Sequence, residues 1–427
     1  MNSKIRLAVS ALVAIAVGTG GCFDGFEEPL PPRDEFYYPI GAKMHPDGRF
    51  LYVVNSNFDL RYRPEQGGTV TVIDTEENRI LDQATPFIPS IGANIALNED
   101  GTRAYVPSRL DDQLTVLTVA EQGQAMYCEV DGQPSADTRP CTLRRIPDSG
   151  QGASISSDPF GVAVGRMQRG DTNFDIVYLS HLVGQDVTAI ALPDGEVSGA
   201  TMVSAGLMDE GGNQVAMRPG TNQAFVAGRG AHHIRSFSPF LSDFGQVEAL
   251  VRGPAVELKQ RSFSIDARGL DFDEQGDWMF VATRNPAALH VVGMDGGPQV
   301  VTTIPLERQP SEVHAHRGAD GVLRLYVPSF EFGVVEVVDV EREAVVDVID
   351  VGRSPYAVAT DLRPVHCAQP GQRCQGYVTL FDADPSDPSQ RCDPSDEERE
   401  DRRCGAVAVI DLDPESDSFH SVIEIIE

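Results

Sequence analysis

The sequence has few of the features by which enzymes and cofactor-binding proteins are usually recognised. It holds a single tryptophan among 427 residues, and no GxSxG, HExxH or Walker-type motif occurs in it. Those patterns would predict a serine hydrolase, a zinc protease or a phosphate-binding loop. CxxC and CxxCH are absent as well, which argues against a thioredoxin-like dithiol and a c-type haem. No cofactor is therefore expected.

Basic residues are scarce. Lys and Arg total 34 against 64 Asp and Glu, which gives a formal net charge of -30. Because nucleic acids are bound through a basic surface, this composition argues against nucleic acid as a partner. An acidic surface instead favours solubility or attracts cations.

Long apolar runs are also missing, apart from one near the N-terminus. That run, Leu7 to Val17, has eleven residues, and a run of that length is too short to span a bilayer. It follows Lys4 and Arg6 and precedes a series of small residues, which is the layout of a secretory signal. We therefore predict that residues 1–21 are a signal peptide and that the protein is exported.

The cysteine count is odd. Of the seven cysteines, Cys22 directly follows the small residues of the predicted signal, and an odd cysteine in an exported chain needs an explanation. The other six lie in two local groups, and an oxidising compartment favours disulfides between them. The four cysteines of the second group allow three connectivities. The pairs expected are Cys128 with Cys141, Cys367 with Cys374, and Cys392 with Cys404.

One strand pattern recurs seven times along the chain. Gly333 to Gly352 shows it clearly, because two Val-rich runs are joined there by a short charged turn, as in a β-hairpin. Such a repeat, at the length of a four-stranded unit plus loops, predicts an all-β fold: a single seven-bladed β-propeller of four-stranded antiparallel blades over residues 34–427. An aromatic residue followed by Val or Leu marks the second strand of each repeat, at Tyr52, Tyr105, Tyr178, Phe225, Phe280, Tyr326 and Tyr377.

Several repeats also resemble a known family. Residues 41–55, GAKMHPDGRFLYVVN, together with Gly68 to Thr75 and Gly333 to Gly352, are similar to the YVTN-type β-propeller repeat of bacterial surface and periplasmic proteins. The resemblance covers about residues 39–427 and implies the fold. It implies no single function, because this repeat occurs in proteins with many tasks.

The start of the expected mature chain resembles a bacterial lipoprotein. Cys22 after small residues is similar to a lipobox, in which the cysteine is lipidated, although Thr19 stands where leucine is usual. An ordinary secretory cleavage site nearby is the alternative. Phe23 is not the aspartate associated with inner-membrane retention, so the resemblance favours the outer membrane. Residues 22–33 are Pro-rich and acidic, which is typical of a flexible tether.

Two cysteine-containing insertions interrupt the blade pattern, near residues 120–141 and 362–404. Disulfide-stapled loops on a propeller are candidate recognition surfaces. The alternative is that the disulfides only protect these loops against proteolysis. Acidic residues of the second insertion suggest a calcium site, since calcium takes oxygen ligands, but they lack EF-hand spacing, and a solvated acidic loop is the favoured interpretation.

Arginine recurs at one position of the repeat. Arg109, Arg229 and Arg284 each stand four residues after the marker aromatic, where the loops of a propeller share one face around the central channel. Converging guanidinium groups would form an anion site, since Arg offers a rigid fork that matches carboxylate or phosphate. The alternative is that each Arg pairs with an Asp of the adjacent blade. Further candidates for the same site are Arg268, His181 and Asn55.

A second position suggests a metal. One apolar residue marks the first strand of each repeat: Met44, Ile95, Val162, Val215, Leu270, Val313 and Val358. The residue after this marker is small in most repeats, which suits a crowded channel wall, but it is His45, Asp271 and His314 in three of them. Two His and one Asp are suitable ligands for a transition metal. The hypothesis is a channel metal site, and structural histidines with satisfied hydrogen bonds are the alternative.

Two main functions follow from these patterns. The first is a noncatalytic, lipid-anchored propeller of the cell envelope, which acts as a binding or interaction scaffold for a protein, glycan or small anionic ligand. The second is a propeller enzyme, because propellers related by the resemblance include lactonases and the large subunits of periplasmic dehydrogenases. A lactonase would need a polar or metal site at the channel mouth. A structural component of the envelope is a third class, which the sequence does not separate from the first.

Overall fold

The computed structural model describes residues 28–146, 153–230, 232–258, 265–361, 367, 369–392 and 404–427. The predicted signal peptide and Cys22 lie outside these residues, as does part of the second insertion. In the part of the chain that is described, no helix has the length and hydrophobicity needed to cross a membrane.

Seven antiparallel four-stranded sheets follow one another along the chain and form a seven-bladed β-propeller, as the sequence predicts. We number the blades in chain order, and the first strand of each is its inner strand. Blade one contains Pro39–Met44, Phe50–Asn55, Gly68–Asp74 and Arg79–Ile80, and blade two contains Ala96–Leu97, Arg103–Ser108, Gln113–Ala120 and Ala125–Val130. Blade three contains Pro159–Arg169, Thr172–His181, Asp186–Pro193 and Thr201–Gly206, and blade four contains Gly212–Met217, Ala224–Gly228, His233–Leu241 and Val247–Arg252. Blades five to seven contain Ala267–Phe272, Trp278–Arg284, Ala287–Gly293 and Gln299–Pro305; His314–Arg317, Leu323–Ser329, Val334–Asp339 and Ala344–Asp350; Pro355–Thr360, Gln375–Leu380, Ala406–Asp411 and Val422–Ile426.

Short elements decorate this frame. Three extra strands pair with third strands of blades one, two and four, one extends the outer edge of blade two, and two form a small separate hairpin. These strands are Phe87–Ile88, Thr142–Leu143, Val256–Glu257, Gln133–Ser135, and the pair Ala383–Asp384 and Asp387–Arg391. Single turns of 3-10 helix occur at Pro64–Gln66, Asp82–Ala84, Glu121–Gly123 and Arg139–Cys141.

The marker aromatics pack the blades together. All seven are at most 1% exposed, and large apolar side chains contribute strongly to core packing when fully buried. Where the residue is a tyrosine, its hydroxyl also reaches a neighbouring blade: Tyr52 donates to the carbonyl of Gly123 at 2.7 Å, and Tyr105 donates to Asp175 at 2.6 Å. The aromatic-Val pattern of the sequence is therefore the signature of contacts between blades.

The ring closes between blades seven and one. Blade seven takes its fourth strand, Val422–Ile426, from its own repeat. The segment before blade one contacts blade seven through one parallel bridge between Tyr37 and Cys404, and the Tyr38 amide donates to the Cys404 carbonyl at 2.6 Å. This segment thus fastens the ring without adding a strand to it.

The first predicted insertion is in part a regular blade. Ala125–Val130 forms the fourth strand of blade two, so only the residues that follow it are additional. The sequence analysis does not predict this strand, because its alternation of apolar and polar residues is weak and turn residues follow it directly. Its Cys128 is bonded to Cys141.

All three expected disulfides are confirmed. The bonds join Cys128 to Cys141, Cys367 to Cys374, and Cys392 to Cys404. Because structural disulfides persist in oxidising compartments, they indicate an extracytoplasmic environment.

Residues 28–33 lie against blade one. The backbone amide of Arg63 donates to the carbonyl of Pro29 at 3.2 Å, and its Nε donates to that of Glu28 at 3.0 Å. Arg33 donates in turn to the carbonyl of Thr85 at 2.6 Å. These bonds hold the end of the stretch for which the composition predicts a flexible tether.

Candidate functional site at the central channel

The seven inner strands surround a channel with a cavity of about 390 Å³. Inner strands begin at the face that carries the loops between blades, and second strands end at this same face, since the two strands are antiparallel. We call this side the mouth face. Each inner strand therefore runs from the mouth face into the channel.

One position of the inner strand is equivalent in all blades, because it pairs with the marker aromatic of the second strand. In blade one the residue opposite Tyr52 is Lys43. Four of the seven residues are alanines, and the other three carry charge or an imidazole. The set is Lys43, Ala96, Ala163, Ala216, Asp271, His314 and Ala359, and all seven line the cavity.

His45 does not belong to this set, which corrects the expectation from the sequence. It lies two residues beyond Lys43, and its ring packs against Gly101 and Gly123 of blade two. Its Nδ1 accepts the backbone N–H of Asp47 at 3.2 Å. His45 is thus a buried residue between blades, and the metal site with Asp271 and His314 is not assembled.

A spacing in the sequence could have identified Lys43. In blades two, four and five the equivalent residue precedes the marker aromatic by nine positions, as Ala96 precedes Tyr105. Lys43 precedes Tyr52 by the same number. The alignment by apolar residues chose Met44 as the marker and so shifted the register of blade one by two.

Asp271 and His314 do meet in the channel. Asp271 Oδ2 lies 3.5 Å from His314 Nδ1, and His314 Nε2 lies 3.0 Å from the hydroxyl of Thr360. The Asp271 carboxylate is held by the backbone amides of Ala315 and Phe272 at 2.8 and 2.9 Å. A carboxylate, an imidazole and a hydroxyl in this order can move a proton from the hydroxyl to the imidazole.

Burial disfavours charge on both Asp271 and His314. It raises the pKa of Asp271, which the amide of Ala315 lowers in part, and it lowers the pKa of His314 to about 3, with the Lys43 ammonium acting in the same direction. The side chains of Asp271 and His314 are still 32% and 24% exposed. The imidazole is therefore neutral at physiological pH and has a lone pair available for a proton.

Closer to the mouth, glycines and polar residues alternate around the channel. A Cβ atom on Gly269 would lie 2.5 Å from backbone atoms of Glu312 and Val313, so the inner strands of blades five and six pass each other in backbone contact. Glycines in blades one and three approach the next blade in the same way. The polar residues that project into the cavity at this level are Asn94, Gln214 and Glu312.

Glu312 is the most perturbed acid in this layer. Its Oε1 accepts the Nε2–H of Gln214 at 2.9 Å, while its buried Oε2 has no hydrogen bond of normal geometry among the described residues, although the Val358 amide is near. Burial raises the pKa of Glu312 to about 8, and Gln214 opposes this shift. The carboxyl group is therefore mostly protonated at neutral pH and can donate a hydrogen bond.

The charges of three arginines act on one hydroxyl at the mouth. Burial raises the pKa of Tyr356 above its usual range, the nearby Glu312 raises it further, and Arg268, Arg284 and Arg109 lower it. These arginines come from blades five and two, and Tyr356 comes from blade seven. The mouth thus joins positive charge from opposite sides of the ring at a single phenol.

The arginines differ in their partners. Arg109 Nε contacts Asp158 of the adjacent blade at 2.5 Å, which is the pairing that the alternative hypothesis expects. Arg268 Nη2 donates to Asp266 of its own blade at 2.8 Å. Arg284 donates through Nε to the carbonyl of Pro310 at 2.7 Å and makes no ion pair with a carboxylate of the described chain.

The other candidates from the sequence have structural roles or lie apart. The His181 ring nitrogens contact Thr188 and the carbonyl of Ser157, and burial lowers its pKa. The Asn55 amide donates to two threonine hydroxyls of the neighbouring strand. Arg229 pairs through its backbone with Asp266, whose carbonyl also accepts the backbone N–H of Arg284 at 2.9 Å.

Aromatic rings, for which the sequence analysis predicts no role, frame the mouth. Phe160 and Phe330 lie 6.2 and 6.4 Å from Tyr356 between ring centroids. Arg109 stacks over Phe160 at 5.8 Å, a cation–π distance. Phe330 and Phe381 occupy the same repeat position as Arg109 and Arg284, so the spacing from the marker aromatic is a signal that could have found them.

Comparison with known proteins supports the fold. No protein-family model and no curated protein sequence matches the chain, so the YVTN resemblance stays a prediction. Hydrazine synthase of Kuenenia stuttgartiensis superposes with a TM-score of 0.53 at 14% identity, over 84% of this chain and 96% of the other. The dihydro-haem d1 dehydrogenase NirN gives 0.52 at 14%, over 93% and 66%, and the periplasmic gluconolactonase PpgL of Pseudomonas aeruginosa gives 0.50 at 16%, over 70% and 81%. At these identities the likenesses show a shared β-propeller fold.

Proposed function

We propose that the protein is a lipid-anchored, extracytoplasmic propeller that binds a small organic anion at the mouth of its channel. The observation that carries the proposal is Arg284, whose guanidinium interacts electrostatically with Arg268 and Tyr356 and donates to the Pro310 carbonyl, but has no carboxylate at ion-pair distance among the described residues. Burial lowers the pKa of Arg284, and the neighbouring Arg268 lowers it further. A ligand carboxylate or phosphate would relieve both effects.

The surroundings of Arg284 suit a ligand with an anionic head and a polar body. Arg offers two parallel N–H donors to a carboxylate. The Tyr356 hydroxyl, on which the same arginine charges act, is also at the mouth. Below them, Gln214 and the protonated Glu312 present further donors to the cavity. Because the overall charge of the protein is strongly negative and repels anions in general, binding of an anion depends on this local positive cluster.

The cell envelope is proposed from two observations. Three disulfides favour an oxidising compartment, and Cys22 stands where a lipobox cysteine would. An envelope protein or glycan that carries an anionic group would meet the same mouth. Mass spectrometry of the mature N-terminus tests the anchor, and an unmodified Cys22 would contradict it.

Calorimetric titration with gluconate, citrate and inorganic phosphate tests the anion site. Arg284→Ala should weaken binding of the best of these anions by about 10- to 100-fold, since a hydrogen bond to a charged group contributes about 1.5–3 kcal/mol. The control is Arg235→Ala, which removes an arginine of similar exposure, 23%, paired with Asp209. Equal binding by wild type and the Arg284 variant would refute the proposal.

A second candidate function is hydrolysis inside the channel. The Asp271, His314 and Thr360 arrangement has the order of an orienting carboxylate, a base and a nucleophile. One structural neighbour is named a periplasmic gluconolactonase, so a lactone of a sugar acid is the first substrate to try. We infer that His314 would accept a proton from Thr360, or from water, during attack on the lactone carbonyl.

A pH-stat assay with glucono-δ-lactone tests this candidate after subtraction of the spontaneous rate. Thr360→Val, which keeps the shape but removes the hydroxyl, and His314→Asn should both lose the activity, whereas Thr360→Ser should keep most of it. Retained activity in Thr360→Val with loss in His314→Asn would assign attack to water. A wild-type rate no faster than buffer would remove the enzyme from consideration and would not affect the anion site.

A further inference from the structure

An apolar strip lies on the mouth face beside the arginines. Phe58 and Leu60 of blade one are 52% and 41% exposed, and Phe332 of blade six is 57% exposed. Ring contacts connect them across blade seven: Phe58 lies 5.5 Å from Phe381, and Phe381 lies 5.9 Å from Phe330, two residues before Phe332. The strip thus runs over blades one, seven and six, and is flanked by blades two and five, which carry the arginines.

The N-terminal segment reaches the surface at one end of this strip. Pro29 and Glu28 are hydrogen-bonded to Arg63, in the loop that also carries Phe58 and Leu60. Leu30 of the segment is itself 43% exposed. From Glu28 back to Cys22 there are six residue steps, which span at most about 20 Å when fully extended.

We propose that the apolar strip is the surface with which the propeller rests on the lipid bilayer. The inference depends on the proposed lipidation of Cys22, because the anchor fixes the distance of Glu28 from the bilayer to within about 20 Å. Phenylalanine and leucine side chains at such a distance can enter the interface between headgroups and acyl chains. An exposed aromatic strip at the end of a short lipid tether is what such a contact requires.

The strip also fixes an orientation. Contact through blades six, seven and one tilts the ring, so the arginines of blades two and five lie away from the bilayer, with Tyr356 of blade seven at the boundary beside Phe330. A zwitterionic surface is the lipid chemistry that fits, because the chain has a formal net charge of -30 and anionic headgroups would repel it. The anion site and the membrane contact are therefore compatible in one molecule.

The natural tryptophan makes the orientation measurable. Trp278 is the only one in the chain; it begins the second strand of blade five, on the side opposite the mouth, and is 39% exposed. Lipidated full-length protein is reconstituted in phosphatidylcholine vesicles with and without acyl chains brominated near the headgroup, which quench only nearby indole fluorescence. Wild type is compared with two variants that carry Trp278→Phe together with Phe58→Trp or Phe332→Trp.

We expect bromolipid to quench the Phe58→Trp and Phe332→Trp variants several-fold more strongly than wild type, in which Trp278 faces away. Equal quenching at all three sites, or none at Phe58→Trp, would overturn the proposal once mass spectrometry has confirmed the lipid. Quenching at Phe58→Trp alone would overturn the strip as a unit. An indole emission shift at Phe58→Trp that depends on protein concentration without vesicles would assign the strip to a second copy of the chain instead.

Discussion

The buried carboxyl group of Glu312 should make the stability of the propeller depend on pH in a way that one substitution removes. Burial raises its pKa from 4.5 to about 8 in the folded protein. The folded state therefore keeps a proton that the unfolded chain releases between these two values. Stability from this group is complete below pH 4.5, and it is lost as the pH rises toward 8.

The size of the effect follows from the shift. One pKa unit corresponds to about 1.4 kcal/mol, so the folded protein loses up to about 3 kcal/mol between pH 4.5 and pH 7 through this one group. Glu312→Gln keeps the amide contact with Gln214 and has no proton to lose. The variant should equal wild type near pH 4.5 and exceed it increasingly at higher pH.

Urea unfolding followed by circular dichroism, with the disulfides intact, measures this difference at several pH values from 4.5 to 8. The difference between variant and wild type is informative because all other titrating groups cancel in it. Glu274→Gln, which removes an exposed carboxylate at the far end of the cavity, controls for the loss of one negative charge. Parallel stability curves for wild type and Glu312→Gln would refute the argument that the channel holds a protonated acid.

Three further predictions concern the packing of a glycine, the protonation of a buried histidine and a disulfide bond. Gly269→Ala should destabilise the protein by about 1–3 kcal/mol in urea unfolding, because the added Cβ would lie 2.5 Å from backbone atoms. The control Gly206→Ala, whose Cβ would have its nearest contact at 3.6 Å, should be nearly neutral. Equal effects of the two substitutions would contradict the close approach of the inner strands. Burial lowers the pKa of His290 to about 4, so the folded protein should lose stability as the pH falls below about 6.5. His290→Gln should lessen that loss. If the stability of the variant fell with pH as steeply as that of wild type, the prediction would be wrong. Replacing both Cys128 and Cys141 by Ala should cost about 3 kcal/mol, the value for a loop of about 15 residues, and an unchanged thermal midpoint would show that the bond adds nothing.

Much of the architecture follows from local sequence. All four strands of each blade come from a single repeat, since antiparallel neighbours are joined by short turns and the marker aromatic recurs at one strand position. Tyr105 and Tyr178, for example, are completely buried where the repeat predicts it. The disulfides could be predicted for the same reason, because each joins cysteines only 7 to 13 residues apart.

The channel could be predicted only in part. Asp271 and His314 stand at the repeat position that the sequence singles out, but their partner Thr360 comes from blade seven, and no local pattern marks it. Lys43 was missed because strand register in blade one depends on which residue faces Tyr52, and a shift by two keeps every side chain on the same face and so leaves the hydrophobic alternation unchanged.

The sequence by itself determined the repeat, the seven blades and the strand order, all of which depend on residues near one another in the chain, whereas it left three connectivities open for the last four cysteines. Only the tertiary structure decided which side chains converge on the axis. The charges of Arg109, Arg268 and Arg284 act on Tyr356 because closing the ring brings together residues from blades seven, two and five, which are far apart in sequence. The charges and burial that such a convergence produces have no counterpart in any single repeat.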